Sequence, residues 1–355
     1  MSRKIVHVVG TGTIGEPLIG LLCDFKESLG IDDITFHKNT PLTTDRSKVT
    51  NLIKRGARLC THEDRFDGFI SIGLEPDFNT HQAIDRASVV IDCTPKGAGQ
   101  KNKVDFYENY LHNTHGFIAQ GSEHGFGKKY ARGINDKALN LSEDRFIQVV
   151  SCNTHNLATI IKTIALDEFD DNLIEGRFNL IRRSNDVSQS KKFLPSPQVG
   201  LHSDDEFGTH HARDAAELFS TINVKLNIFS SAMIVNSQYM HILQFYLKLK
   251  NKTNMEDVIT KLENNERIAI TDKINANEVF SFGRDHGHYG RILNQTVVSI
   301  PSLNIRNGNE ITGYCFTPQD GNSLLSTIAV TTSYLYNNSF DDKIQCLKPY
   351  FFNEV

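Results

Sequence analysis

The N-terminal run Lys4-Ile5-Val6-His7-Val8-Val9 leads without a spacer into Gly10-Thr11-Gly12-Thr13-Ile14-Gly15 and then into Leu18, Ile19, Leu21 and Leu22. No other stretch constrains the fold as much. An apolar strand, a GxGxxG turn and a helix-spaced apolar run, in that order, open a βαβ unit. The glycines permit a tight turn and close backbone approach, and the helix N-terminus offers N–H groups to a pyrophosphate. Gly10, Gly12, Thr13, Ile14 and Gly15 are therefore candidate dinucleotide contacts, against the plainer reading of a strand-to-helix turn with no ligand. A second strand is expected over Asp33 to Lys38. An acidic residue at its end would hold an adenosine ribose 2'-hydroxyl. His37, Lys38 and Asn39 stand there instead and suit a 2'-phosphate, while Asp32 and Asp33 lie at the wrong end. NADP is the favoured cofactor, with NAD also accepted.

Further strands are expected at Arg58 to Thr61, Ser88 to Cys93, Gly116 to Gln120 and Phe146 to Val150, separated by helix-sized segments. That alternation predicts a mostly parallel sheet. Cys93 to Gly97 and Ala119 to Ser122 fall at carboxyl ends of strands, where loop chemistry and cofactor contact stay equally open. Just beyond the last strand comes Ser151-Cys152-Asn153-Thr154, followed by Leu157, Ile160, Ile161 and Ile164 at the spacing of one helical face. Cys152 thus belongs at a helix N-terminus, where the macrodipole favours a thiolate, and is a candidate covalent nucleophile. His155, one helical turn on, competes for the role of its base.

The remaining sequence narrows the class. A chain of 355 residues has room for two domains, and 42 acidic against 38 basic residues give no electrostatic grip on nucleic acid. Its six cysteines are unevenly spaced with no CxxC pair, which favours a reducing compartment. No apolar stretch approaches membrane-spanning length, and the first apolar run is too short for a signal peptide, so a cytoplasmic location without membrane partners is expected. After Cys152 the elements lengthen into amphipathic strands at Leu173 to Arg183, Val224 to Val235 and Arg291 to Ile300, the pattern of an α+β domain. Arg182 and Arg183 end one strand, and His210 and His211 sit in a polar loop. His241 follows an apolar run, and a helix is expected over Asn322 to Tyr336. Arginine and histidine can supply the fixed charge and N–H donors that a phosphate needs. The histidine pair has no acidic or thiol partner at ligand spacing, so no metal is expected.

Taken together these pieces resemble archaeal-type (type II) phosphorylating glyceraldehyde-3-phosphate dehydrogenase. The matching residues are Gly10 to Gly15, Thr94 to Gly97 with Gly99 to Asn102, Gln120 and Gly121 with Glu123, and Val149 to Thr154. Ile181 to Arg183, His210 and His211, Ser231 and Ala232 leading to Met240 and His241, and Gly283 to Asp285 complete them, in order over nearly the whole chain. The resemblance implies an α/β Rossmann-type dinucleotide-binding domain over 1–150 and an α+β catalytic domain with a mixed or antiparallel sheet over 151–321. It also implies a C-terminal helix 322–345 returning to the first domain and a surface tail at 346–355.

The resemblance makes Cys152 the nucleophile and His241 the general base. Ser151, Asn153, Thr154, His210, His211 and Arg182 would contact glyceraldehyde 3-phosphate or inorganic phosphate. Thr13 and Ile14 would touch the pyrophosphate, with Gly121, Arg183 and Gln319 near the rest of the dinucleotide. As neighbours on a strand, Arg182 and Arg183 should leave opposite faces, so one of them, Arg183 by preference, reaches the cleft. Asn322 either holds the nicotinamide carboxamide or caps its helix. A homotetramer is implied. Compared with the family pattern, 184–209 is longer and more polar, and Phe316 to Asn322 is shorter. Two other readings stay open. One is another Cys/His aldehyde or acyl-phosphate reductase, of the aspartate-semialdehyde or N-acetylglutamyl-phosphate type. The other is a non-catalytic nucleotide-sensing relative.

Overall fold

The computed structural model describes residues 3–121, 123–166, 172–187, 189, 193–318, 320–336 and 340–355. The chain divides into two compact units. The first comprises Met1–Lys128, Leu139–Val149 and Ser326–Lys348, and the second Lys129–Ala138, Val150–Leu325 and Pro349–Val355.

In the first unit, β1 (Ile5–Val9), β2 (Asp33–His37), β3 (Arg58–Thr61), β4 (Phe78–Asn79), β5 (Val89–Asp92), β6 (Gly116–Gln120), β7 (Lys128–Tyr130) and β8 (Phe146–Val149) form one sheet in the order β4-β3-β2-β1-β5-β6-β8-β7. The six pairings from β4 across to β8 are all parallel. Every residue of β1 is buried, as expected for a central strand covered on both faces. The one polar residue in it, His7, pairs in register with Thr35 and meets its hydroxyl through Nδ1 at 2.7 Å. Helix α1 (Gly15–Asp24) starts at the glycine turn, as the motif predicts. A Cβ on Gly15 would lie 2.1 Å from Gly10 O, so the turn closes only with glycine at that position.

In the second unit, β9 (Leu173–Arg182), β10 (Gln198–Val199), β11 (Ile228–Ile234), β12 (His241–Leu249), β13 (Ile268–Thr271), β14 (Thr296–Arg306) and β15 (Glu310–Thr317) form a mixed sheet in the order β10-β11-β9-β12-β15-β14-β13. Its central pairs are antiparallel, and β11 on β9 and β13 on β14 are parallel. The helices Cys152–Ile160 and His210–Ser220 cover this sheet. Leu157, Ile160, Leu218 and Phe219 pack in one core with Phe178, Leu180, Leu243 and Phe245. Each such buried side chain contributes about 1.5–3 kcal/mol relative to exposure, so the nucleophile's helix is anchored by its apolar face.

The C-terminal residues differ from the expected surface tail. Val355 is buried and its N–H donates to Ile270 O on β13, and Phe352 packs in the same cluster, so the last residues add apolar cover to that edge strand. No helix among the described residues is long and apolar enough to cross a membrane.

Candidate active site

Cys152 opens its helix behind Ser151, whose hydroxyl accepts from Thr154 N at 3.3 Å and so caps the first turn. The same Ser151 Oγ lies 2.9 Å from Thr154 Oγ1 and 3.3 Å from His211 Nδ1. Thr154 is fully buried and Asn153 nearly so, and Asn153 Oδ1 accepts from Thr317 Oγ1 at 3.1 Å. Thr317 in turn accepts from Asn156 Nδ2 at 2.7 Å, and Cys315 Sγ donates to Asn156 Oδ1 at 3.1 Å. Asn153 and Thr154, expected to touch substrate, are therefore turned inward and fix the loop. Only Ser151 and Cys152 of that run keep partial exposure.

The helix start alone does not make Cys152 a thiolate. Burial pushes its thiol up to about 12, Asp320 adds to the rise, and the guanidinium groups of Arg183 and Arg182 pull the other way without overcoming it. Desolvation therefore opposes the thiolate that a helix start favours. Both arginines act on Cys152 and both act on His241. Strand alternation does not apply here, because β9 ends at Arg182 and Arg183 lies beyond it. Arg183 is bound to Asp186 and sits 4.0 Å from Asp320.

His241, the first residue of β12, accepts from Arg183 N through Nδ1 at 3.1 Å. A neutral ring so held carries its proton on Nε2. Burial, with Arg183 and Arg182 adding to it, holds this imidazole well below its usual pKa, so it is neutral at physiological pH. The competing histidine is committed elsewhere. His155 is completely buried, donates from Nδ1 to Ser151 O at 3.0 Å, and is lowered by burial to about 4.

His210 and His211 begin the helix His210–Ser220, their rings 3.9 Å apart. Two N–H groups that a helix start can offer an anion are already used here. His211 N donates to Thr209 Oγ1 at 3.3 Å and Ala212 N to Ser230 Oγ at 3.2 Å. An anion at this place would meet side chains: His211, whose buried Nε2 has no hydrogen-bond partner, and Arg182, whose Nε has none either. Asn322 is fully buried, donating to Cys152 O and to Gln295 O at 3.0 Å each and accepting from Ser323 N at 2.8 Å. Both its N–H groups are engaged, and its Oδ1 meets a first-turn N–H of the helix. It pins the nucleophile's peptide to the start of the helix Gly321–Tyr336. Asp320, which sequence reasoning missed, precedes that helix at φ 57° with a buried carboxylate oxygen that has no hydrogen-bond partner. An Asp before a Gly is a weak sign of such a turn.

In the first unit, space is open above Gly12 and above Gly121, where a Cβ would meet nothing within 4 Å. Thr13 and Ile14 are half-buried in the same turn, and Asn39 is exposed. This cradle at the start of α1 fits a pyrophosphate. Lys38 lies 2.8 Å from Asp45. His37 adds no charge to it, because burial, followed by the repulsion of His62 and Lys38, lowers its pKa to about 4. The start of the helix Ala98–Asp105 is filled from within: Glu123 accepts from Gly97 N at 2.5 Å and from Gln100 N at 3.0 Å. Ser122 and Gln319 lie outside the described residues.

The parallel sheet with its glycine turn and the mixed sheet with its helix-borne cysteine make the two-domain fold of the glyceraldehyde-3-phosphate dehydrogenase class. No family model matches the chain. It is 28% identical over 324 residues, 88% of this chain and 86% of the relative, to a glyceraldehyde-3-phosphate dehydrogenase of Sulfolobus acidocaldarius. The namesake proteins of Pyrobaculum islandicum and Sulfurisphaera tokodaii are 25% and 26% identical, over 86% and 88% of this chain and 85% and 86% of their own. The chain thus resembles archaeal-type glyceraldehyde-3-phosphate dehydrogenase over most of its length.

Proposed function

We propose that this chain is a phosphorylating, NAD(P)-dependent dehydrogenase that converts D-glyceraldehyde 3-phosphate and inorganic phosphate reversibly to 1,3-bisphosphoglycerate, in glycolysis or gluconeogenesis. The observation that carries the reading is Cys152 at the head of a buried helix, in the field of Arg182 and Arg183, with Ser151 and His211 beside it. Whole-length similarity to enzymes of that name supports it. A cytoplasmic homotetramer is the setting that this reading brings with it.

Gly10, Gly12, Thr13, Ile14 and Gly15 would hold the dinucleotide's pyrophosphate, and Lys38, Asn39 and Gly121 other parts of it, with NADP favoured and NAD accepted. When bound, the nicotinamide supplies the hydride acceptor. Cys152 Sγ adds to the aldehyde carbon, and the thiol proton ends on the former carbonyl oxygen, giving a hemithioacetal. During addition His241 Nε2–H donates to that oxygen, the role left to a neutral ring whose Nδ1 accepts from Arg183 N. To act as base it must release Arg183 N and present an unprotonated Nε2, and it then takes the hydroxyl proton as the carbon is oxidised to a thioester. A phosphate oxygen attacks the thioester, the C–S bond breaks, and the departing sulfur regains a proton. His210, His211 and Arg182 offset the phosphate charge.

The test is a steady-state assay of the purified protein with glyceraldehyde 3-phosphate and each cofactor, with and without phosphate. Reduced cofactor should form only when phosphate is present. Formation independent of phosphate, or none at all from a protein that binds cofactor, overturns the reading.

A further inference from the structure

The cation pair behind β2 is occupied by a carboxylate of the chain itself. Lys38 follows the strand, and its backbone N–H is fixed to Cys60 O at 3.0 Å, so its side chain starts at the carboxyl edge of the sheet. Its Nζ lies 2.8 Å from Asp45 Oδ2. Lys48, in α2 (Arg46–Lys54), reaches the other Asp45 oxygen at 3.4 Å and donates to Thr11 O, within the glycine turn, at 3.2 Å. Lys48 also faces Glu16, in the first turn of α1, at 3.9 Å. The cluster therefore carries two positive and two negative charges and sums to nothing. Burial works against the Asp45 charge, but Lys38 and Lys48 outweigh it and hold the carboxyl below its usual pKa, so Asp45 is ionised at neutral pH.

Three facts bear on the choice of dinucleotide. The end of β2 lacks the acidic side chain that accepts a ribose 2'-hydroxyl. Asp45 brings a carboxylate to the lysine next to that end, from the start of the following helix. A 2'-phosphate, bearing close to two negative charges, would need the same two ammonium groups and would be repelled by the carboxylate lying between them.

We propose that Asp45 sets the choice between the two dinucleotides, accepting from the 2'-hydroxyl of NAD and opposing the 2'-phosphate of NADP by holding Lys38 and Lys48. This rests on the reading that the first unit binds a nicotinamide dinucleotide. Lys38 provides for NADP, and Asp45 tempers that provision.

Calorimetric binding of NAD⁺, NADP⁺ and the adenosine-end probe 2',5'-ADP to the full chain and to Asp45→Asn tests this without turnover. Asparagine keeps the side chain's shape and removes its charge. NADP⁺ and 2',5'-ADP should bind about tenfold tighter to the variant, a change of about 1.4 kcal/mol, and NAD⁺ should bind no tighter. Lys38→Met should move 2',5'-ADP by a similar factor the other way, which keeps the idea testable should the first variant fold poorly. If the full chain binds the dinucleotides and Asp45→Asn leaves their ratio unchanged, the role of Asp45 falls alone. If the full chain binds neither dinucleotide, the underlying reading falls with it.

Discussion

At the carboxyl end of β2, Lys38, Lys48 and Asp45 satisfy one another within the chain. Around Cys152 the polar groups are left waiting: Arg182 Nε, His211 Nε2 and an Asp320 carboxylate oxygen are buried without hydrogen-bond partners. Buried polar atoms of that kind are costly, on the order of 1–3 kcal/mol each, until a ligand or a water completes them. The first region is thus neutral before anything binds, and a ligand there must displace an existing pair. The second region is poised, and a ligand there relieves a penalty. Selectivity suits the former arrangement, and transition-state stabilisation the latter.

The largest effect expected from this contrast is on Cys152→Ser. Turnover should fall by at least about 10⁴-fold while calorimetric binding of NADP⁺ stays within a factor of two, roughly the noise of such a comparison. Loss of cofactor binding together with activity would mean that the two regions do not work separately. Next comes His241→Ala, for which kcat should drop by roughly 10²–10⁴-fold. His155→Ala should lower the denaturation midpoint, because Ser151 O loses one of its two donors and a buried ring is removed, and should change kcat far less. The opposite ranking in a hydride-transfer assay would reassign the base.

The smallest effect tests the poised charges themselves. Alkylation of Cys152 by iodoacetamide follows the thiolate fraction, so in the wild type its rate should still be climbing above pH 10, given a thiol near 12. Asp320→Asn removes a nearby negative charge that raises that value. The rate at pH 8 should then rise about three- to tenfold, with asparagine tolerated at the positive φ. An unchanged profile would show that desolvation alone sets the thiol.

Much of the first unit was legible because its signals are local. β1 is a continuous apolar run, the glycine spacing sits at its end, and α1 follows at once. The two-residue β4 has no period to detect, and its pairing with β3 is decided by tertiary contact. In the second unit β12 starts soon after the polar stretch Asn236-Ser237-Gln238, and its nine residues mix Gln244 and Lys248 into an apolar pattern whose pairing is decided by β9 and β15. The site was legible as residue types and less so as roles. Nothing near Asn322 in sequence indicates that its amide reaches Cys152, and nothing near Lys38 shows that Asp45 turns back onto it. Those partners are chosen by the fold, through side chains whose neighbours in space are distant in sequence.

The bond from Asn322 to the Cys152 carbonyl spans 170 positions of chain. During synthesis the cysteine leaves the ribosome long before the amide that holds its peptide exists, and non-local contacts of this kind close late. The nascent protein therefore carries the thiol through the synthesis of those 170 positions without the fixed geometry around it. The grip on the nucleophile's peptide is thus set by the order in which the polymer is made.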